Sequence, residues 1–303
     1  MTTPNISLDP AIVESLPEGH RLLSITEHGK SSWAKSFKLE IQVHNTQEAY
    51  FLKIINSPNH VQLTQGEYKS QKELARWIPD NTVIPIAHGL LSHNPSSPEP
   101  SSSFFLAHFQ HFTEPPHTPT PEQLADVLAT LHTTSSSPNG RFGFHAPTFY
   151  GHVPILKDWC DTWEEFFTRQ LRADLAWEAS VRGSNDHELA DIAEEFLRDV
   201  VPRLLRPLET GGRCIKPVLV HGDLWAGNVG LVAGGAGAGE QQEPRVVLFD
   251  ACCCYAHHEF DLAEMIDGQK DRFWRPYIDA YLRRVPPSEP AAEFEDRLAM
   301  YSL

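Results

Sequence analysis

Basic residues are scarce in this chain: 25 Lys and Arg stand against 40 Asp and Glu, a formal net charge of -15 at pH 7. Such a surface repels phosphate backbones and anionic bilayers, so neither nucleic acid nor a membrane is expected as a partner. No uninterrupted apolar run approaches the ~18 residues of a membrane span. The opening Met1-Thr2-Thr3-Pro4-Asn5 has neither the basic segment nor the apolar core of a secretory signal. Cysteine is sparse as well, and Cys252, Cys253 and Cys254 are adjacent, a spacing that suits neither a secreted disulfide framework nor a zinc site. These absences point to a reducing, cytoplasmic compartment and assign the cysteines, with nearby His257 and His258, to packing and loop roles. A Walker loop is also missing: the glycine run at 234–239 has no terminal lysine and hydroxyl, and reads as a flexible hairpin tip between Val229 and Val246.

What is present suits a folded protein large enough for one big domain or two packed lobes. Residues 36–43 and 48–54 alternate as strands, with a turn over 44–47. Helical spacing runs over 66–78, closed by Pro79, and strand character returns at 83–86 and 104–109 on either side of a proline- and serine-rich loop, 94–103. Helical patterns then dominate at 121–132, 159–178 and 187–205. A strand-rich beginning and a helix-rich end predict an α+β, bilobal arrangement, with a sheet lobe over 1–112 and a helical lobe over 113–303.

The densest chemistry lies in His221-Gly222-Asp223-Leu224-Trp225-Ala226-Gly227-Asn228 and in Val246-Val247-Leu248-Phe249-Asp250. Phosphoryl transfer needs a group to orient the attacking hydroxyl and oxygen ligands to hold magnesium against the phosphates. Asp223 suits the first task, and Asn228 on the same loop with Asp250 at a strand exit suits the second. Lys53, in a strand, can reach nucleotide phosphates; Glu67 on the next helix can position it, with Glu73 the competing partner. The turn at 27–36 offers Gly29, Ser31 and Ser32 to ATP phosphates, although a plain hairpin turn explains it equally well. Asp and Asn commonly cap turns and a strand lysine commonly solubilises a surface, so it is the combination that favours catalysis. His221 is expected to stabilise its loop by hydrogen bonding, and Asp261 to cap or anchor the next helix.

Taken with Gly29-Lys30-Ser31-Ser32-Trp33, Tyr50-Phe51-Leu52-Lys53-Ile54, Phe142-Gly143-Phe144-His145 and Tyr255-Ala256-His257-His258-Glu259-Phe260-Asp261-Leu262-Ala263, this block resembles the fructosamine kinase family, also called ketosamine or protein-ribulosamine 3-kinases, in particular its fungal-like members. The resemblance covers nearly the whole chain. It implies a protein-kinase-like fold and ATP-dependent phosphorylation of the sugar 3-hydroxyl in ketoamines carried by amines or protein lysines, giving an unstable product that releases the amine. It assigns base and metal roles to Asp223, Asn228 and Asp250, and nucleotide roles to Lys53 and Glu67, with ATP and Mg2+ as cofactors. Two departures bear on substrate preference: Asp250-Ala251-Cys252 where the family commonly has Asp-Pro-Ala, and Tyr255-Ala256-His257 where it often has Tyr-Gly-His. Two alternatives remain open from the residues, a related kinase acting on an aminoglycoside or amino alcohol and an inactive kinase-like scaffold.

Overall fold

The computed structural model describes residues 8–30, 34–92, 102–113, 118–183, 187–233, 244–265 and 275–303. Helix α1 (Pro10–Val13), capped by the Asp9 carboxylate, leads into strands β1 (His20–Lys30), β2 (Ala34–Val43) and β3 (Thr46–Ile55). Helix α2 (His60–Trp77) follows, and β4 (Pro85–Leu90) and β5 (Ser103–His108) complete an antiparallel sheet in the order β1-β2-β3-β5-β4. The strand period of two divides the central strand β3 between two environments. Tyr50 and Leu52 join Leu39, Ile41, Phe104 and Leu106 in a core closed by Ile12 and Leu16. Phe51 and Lys53 face a cleft on the other side.

Strand β1 departs from the sequence reading, which treats 27–36 as a turn preceding the first strand. Gly29 and Lys30 instead pair with Ser36 and Lys35 inside the sheet. Register shifts at Leu22/Ser24 and Glu27/Gly29 interrupt the alternation of this half-exposed edge strand, so its period is lost from the sequence. Ser31 and Ser32 lie outside the described residues, as do most of the 94–103 loop and the glycine run. Helix α2 begins six residues before Gly66, its buried face mixing polar side chains with Leu63 and Leu74 and so lacking a continuous apolar stripe. Thr64 Oγ1 bonds Ser103 Oγ at 3.1 Å and Ser70 Oγ accepts from Cys253 N–H at 3.0 Å.

The helical half starts at α3 (Pro121–Thr134), where Thr120 and Gln123 form a reciprocal capping box ahead of Pro121. The hairpin β6 (Thr148–Tyr150) and β7 (Val153–Ile155) packs onto α2 at Gly66, where a Cβ would stand 2.6 Å from Pro147 O. Helix α4 (Trp163–Arg182) begins later than the periodicity suggests, because the Thr162 hydroxyl accepts from Glu165 N–H and caps it there. The expected single helix at 187–205 is α5 (His187–Glu195) and α6 (Val201–Leu205) joined by a π-helical turn, Phe196–Val200. Pro202 lacks an N–H and would crowd the carbonyl four residues back, and the wider turn relieves both problems. Strands β8 (Val218–Val220) and β11 (Cys254–Ala256) pair, as do β9 (Val229–Val232) and β10 (Arg245–Leu248); α7 (Arg275–Leu282) and α8 (Phe294–Tyr301) finish the chain. No helix among the described residues is long and apolar enough to cross a membrane.

The two halves are sewn together at the β9–β10 hairpin. Leu248 O accepts from Val83 N–H at 3.3 Å and from Thr82 Oγ1 at 3.1 Å, and Thr113 N–H reaches Leu231 O at 2.8 Å. The segment that leaves β10 therefore emerges directly beside β3 and α2.

Candidate active site

Strand β8 is fully buried and delivers the chain into the loop at His221, which is itself wholly enclosed. Gly222 follows at φ +84°, and a Cβ there would stand 2.5 Å from Cys252 O, so only glycine makes this turn. His221 behaves as the loop-stabilising residue its position suggests. Its Nδ1 accepts from Asp223 N–H at 3.3 Å, which leaves Nε2–H to donate to Phe249 O at 3.1 Å. Burial holds the ring below its ordinary pKa against the pull of Asp261, keeping it neutral. Two further bonds lace the loop to the β10 exit, Cys252 N–H to His221 O at 3.0 Å and Phe249 N–H to Asn228 O at 3.1 Å. Asp261 does not serve the next helix: its carboxylate accepts the main-chain N–H of His221 at 2.8 Å and of Gly222 at 2.9 Å.

Asn228 turns back on Asp223, its Nδ2 donating to the Asp223 side chain at 2.8 Å and to Asp223 O at 2.9 Å. Two acceptors can be served only by the amide nitrogen, which fixes the orientation of the group and leaves Oδ1 as the atom for a cation. The carboxamide oxygen of Asn228 and the carboxylate of Asp250 are hard oxygen donors of the kind that suits magnesium. Asp250 sits at φ +57° where the chain leaves β10, its side chain half exposed.

Lys53 Nζ lies 2.6 Å from Asp250 Oδ1 and 3.0 Å from Glu67 Oε2. Burial works to depress the lysine, but the two carboxylates outweigh it and hold its pKa above the ordinary value. The acids divide: burial lifts Glu67 to about 7, whereas Lys53 overcomes burial at Asp250 and holds it low. Glu73, the competing partner, instead meets Tyr255 Oη at 2.7 Å. Six residues along a helix is about 240° of rotation, so Glu73 cannot share the face of Glu67. Asp223 is pushed up to about 7 by burial, opposed by the Asn228 bond and aided by Glu264 and Asp250.

Lys53, Glu67 and Asp250 line a cavity of about 430 Å³ together with Gly29 and the aromatic rings of Phe51, Phe105, Phe112 and Phe249. They also line a smaller hollow of about 90 Å³ with Asp223, Phe149 and Cys252. The trio thus stands between a cavity with aromatic walls and the hollow that Asp223 lines. Tyr150 and Glu264, 3.4 Å apart beside Asp223, went unnoticed in the sequence because neither belongs to a motif with a fixed offset from Asp223.

A family model described as fructosamine kinase matches residues 24–303. The chain belongs to the fructosamine kinase family. Within it, mouse ketosamine-3-kinase is 33% identical over 163 residues, 54% of this chain and 46% of the mouse protein. A Synechocystis protein carrying a ketoamine kinase name is 26% identical over 259 residues, 85% of this chain and 75% of its own. The match to the mouse protein therefore spans less than half its length. A crystal structure from Thermobifida fusca whose name assigns it to the fructosamine-3-kinases superposes with a TM-score of 0.67 at 22% identity, over 96% of this chain and 88% of that one. That likeness shows a shared fold, and the α+β arrangement of sheet and helical halves is the one this family uses.

Proposed function

We propose that this chain is an ATP-dependent kinase that phosphorylates the 3-hydroxyl of ketosamines, the ribulosamine or fructosamine adducts of small amines or protein lysines, and so promotes deglycation. The observation that carries this reading is Asp223, tied down by Asn228 and lifted by burial to about 7, the value at which a general base works best near neutral pH. The sugar 3-oxygen forms its bond to the γ-phosphorus as that phosphorus parts from the bridging oxygen of ADP. The hydroxyl proton passes to the Asp223 carboxylate.

Lys53, held by Glu67, meets the nucleotide phosphates, and the segment with Gly29, Ser31 and Ser32 covers them. Asn228 and Asp250 would hold Mg2+, which when bound would neutralise phosphate charge. On this reading ATP lies in the slot between a sheet lobe, 1–112, and a helical lobe, 113–303. Five cysteines without a disulfide fit a cytoplasmic setting.

The test is a mass-resolved transfer assay with magnesium, ATP and a panel of ribulosyl, fructosyl and erythrulosyl amines. One added phosphate on a ketoamine is the expected result. Transfer only to an aminoglycoside or amino alcohol contradicts the substrate class, and ATP binding without transfer to any acceptor contradicts the enzyme.

A further inference from the structure

Behind the Asp223 loop, a line of buried and partly buried polar groups runs from Trp163 to Asp261. Trp163 Nε1 is 2.7 Å from Tyr301 Oη, which is 3.0 Å from His257 Nδ1; His257 Nε2 is 2.8 Å from Ser288 Oγ. Ser288 Oγ is 3.2 Å from His258 Nε2, and His258 Nδ1 is 3.0 Å from Tyr281 Oη. Tyr281 Oη is 2.7 Å from His132 Nδ1, and His132 Nε2 is 3.2 Å from Asp261 Oδ2.

The two ends set the direction of every bond. An indole N–H can only donate and an ionised carboxylate can only accept, so each neutral member between them takes one hydrogen and passes one on. In the opposite sense Tyr301 would receive two N–H groups, and its own proton would meet no acceptor among the described residues. His132 would then need a second proton to face Asp261. Burial pushes His257 and His258 below their ordinary pKa and Tyr281 and Tyr301 above theirs, which keeps all four neutral. The cluster His257, His258 and Glu259 is close enough to suggest a metal site. Its nitrogens are engaged in this chain, however, and both Glu259 oxygens are held by Arg297 at 2.7 and 2.9 Å.

We infer that His132, Tyr281 and His258 are positioning residues for Asp223, acting through Asp261. The inference rests on the phosphoryl-transfer role of Asp223 given above. Asp261 Oδ1 holds Gly222 N–H, and Asp261 Oδ2 holds both His221 N–H and His132 Nε2. Releasing His132 frees the oxygen that fixes the residue two before Asp223, and a displacement of ~1 Å at a reacting group costs about 10²-fold in rate.

The experiment compares kcat and the KM for ATP, together with amide hydrogen exchange of segment 218–228, in wild type, Tyr281→Phe, His132→Leu and His132→Gln. Tyr281→Phe keeps the ring and removes only the link, so it reports even where His132→Leu does not fold. We expect kcat to fall about 10-fold in Tyr281→Phe and about 100-fold in His132→Leu, with the KM for ATP within about threefold of wild type. Exchange at 218–228 should quicken in both. His132→Gln, whose amide N–H can replace Nε2–H, should restore both readings. Wild-type kcat and exchange in Tyr281→Phe would overturn the inference, as would His132→Gln being as impaired as His132→Leu. Should wild type phosphorylate no ketoamine, the functional reading fails, while the exchange comparison still decides this one.

Discussion

Lys53 and Asp250 lie 197 positions apart in the chain and meet at 2.6 Å, with Glu67 at 3.0 Å from the same ammonium. A strand of the sheet is thereby tied to the segment that leaves β10, and one cation contacts two carboxylates. Lys53→Met removes that cation and the donor aimed at the phosphates. Steady-state kinetics should show kcat/KM for ATP lowered by about 10²–10³-fold, the cost of removing one preorganised donor, with circular dichroism unchanged. Wild-type kinetics in this variant would exclude Lys53 from the nucleotide site.

The pH dependence follows from Asp223. As the base, it must be ionised, so kcat/KM should drop tenfold per pH unit below about 7. Glu67 is also lifted to about 7, and Glu67→Gln separates the two: the acid limb should stay in place when only Glu67 is replaced.

The same shift bears on stability. Folding raises the Asp223 pKa from an ordinary 3.8 to about 7, so the folded state binds the proton more tightly. Stability is therefore lost as pH rises from the unfolded value to the folded one, and the loss is complete above the folded value. Asp223→Asn removes the charge. Differential scanning calorimetry at pH 8 should give a Tm above wild type by about 2–4 °C, shrinking toward pH 5.

The sequence carried the parts of the site that lie on regular elements. Lys53 in β3 and Asp250 at the exit of β10 each follow a readable apolar strand, and Asp223 and Asn228 share one short loop. Glu67 was legible only as one of two acids on α2, and the rotation of that helix decided between them. The role of Asp261 was not legible, because it depends on a contact some forty residues back in the chain. Strand β1 was hidden by its two bulges, and the start of α2 by a buried face in which His60, Thr64, Ser70 and Gln71 are interleaved with only two leucines, Leu63 and Leu74.

Arg297 and Glu259 form a bidentate pair with both side chains wholly enclosed, joining α8 to the segment that bears Asp261. Arg297→Met leaves a buried carboxylate without its partner and should destabilise the fold by about 3–5 kcal/mol in urea denaturation. The double variant Arg297→Met with Glu259→Gln should recover part of that loss, because the uncompensated charge is gone. Equal stability of the single variant and wild type would show that the pair contributes nothing net.

The most direct test is turnover of Asp223→Asn beside wild type, on the ketoamine that wild type phosphorylates fastest, at pH 8 and saturating ATP. Loss of the base should lower kcat by about 10²–10⁴-fold while nucleotide affinity and the folded state persist. A kcat within about threefold of wild type would contradict general-base catalysis by Asp223.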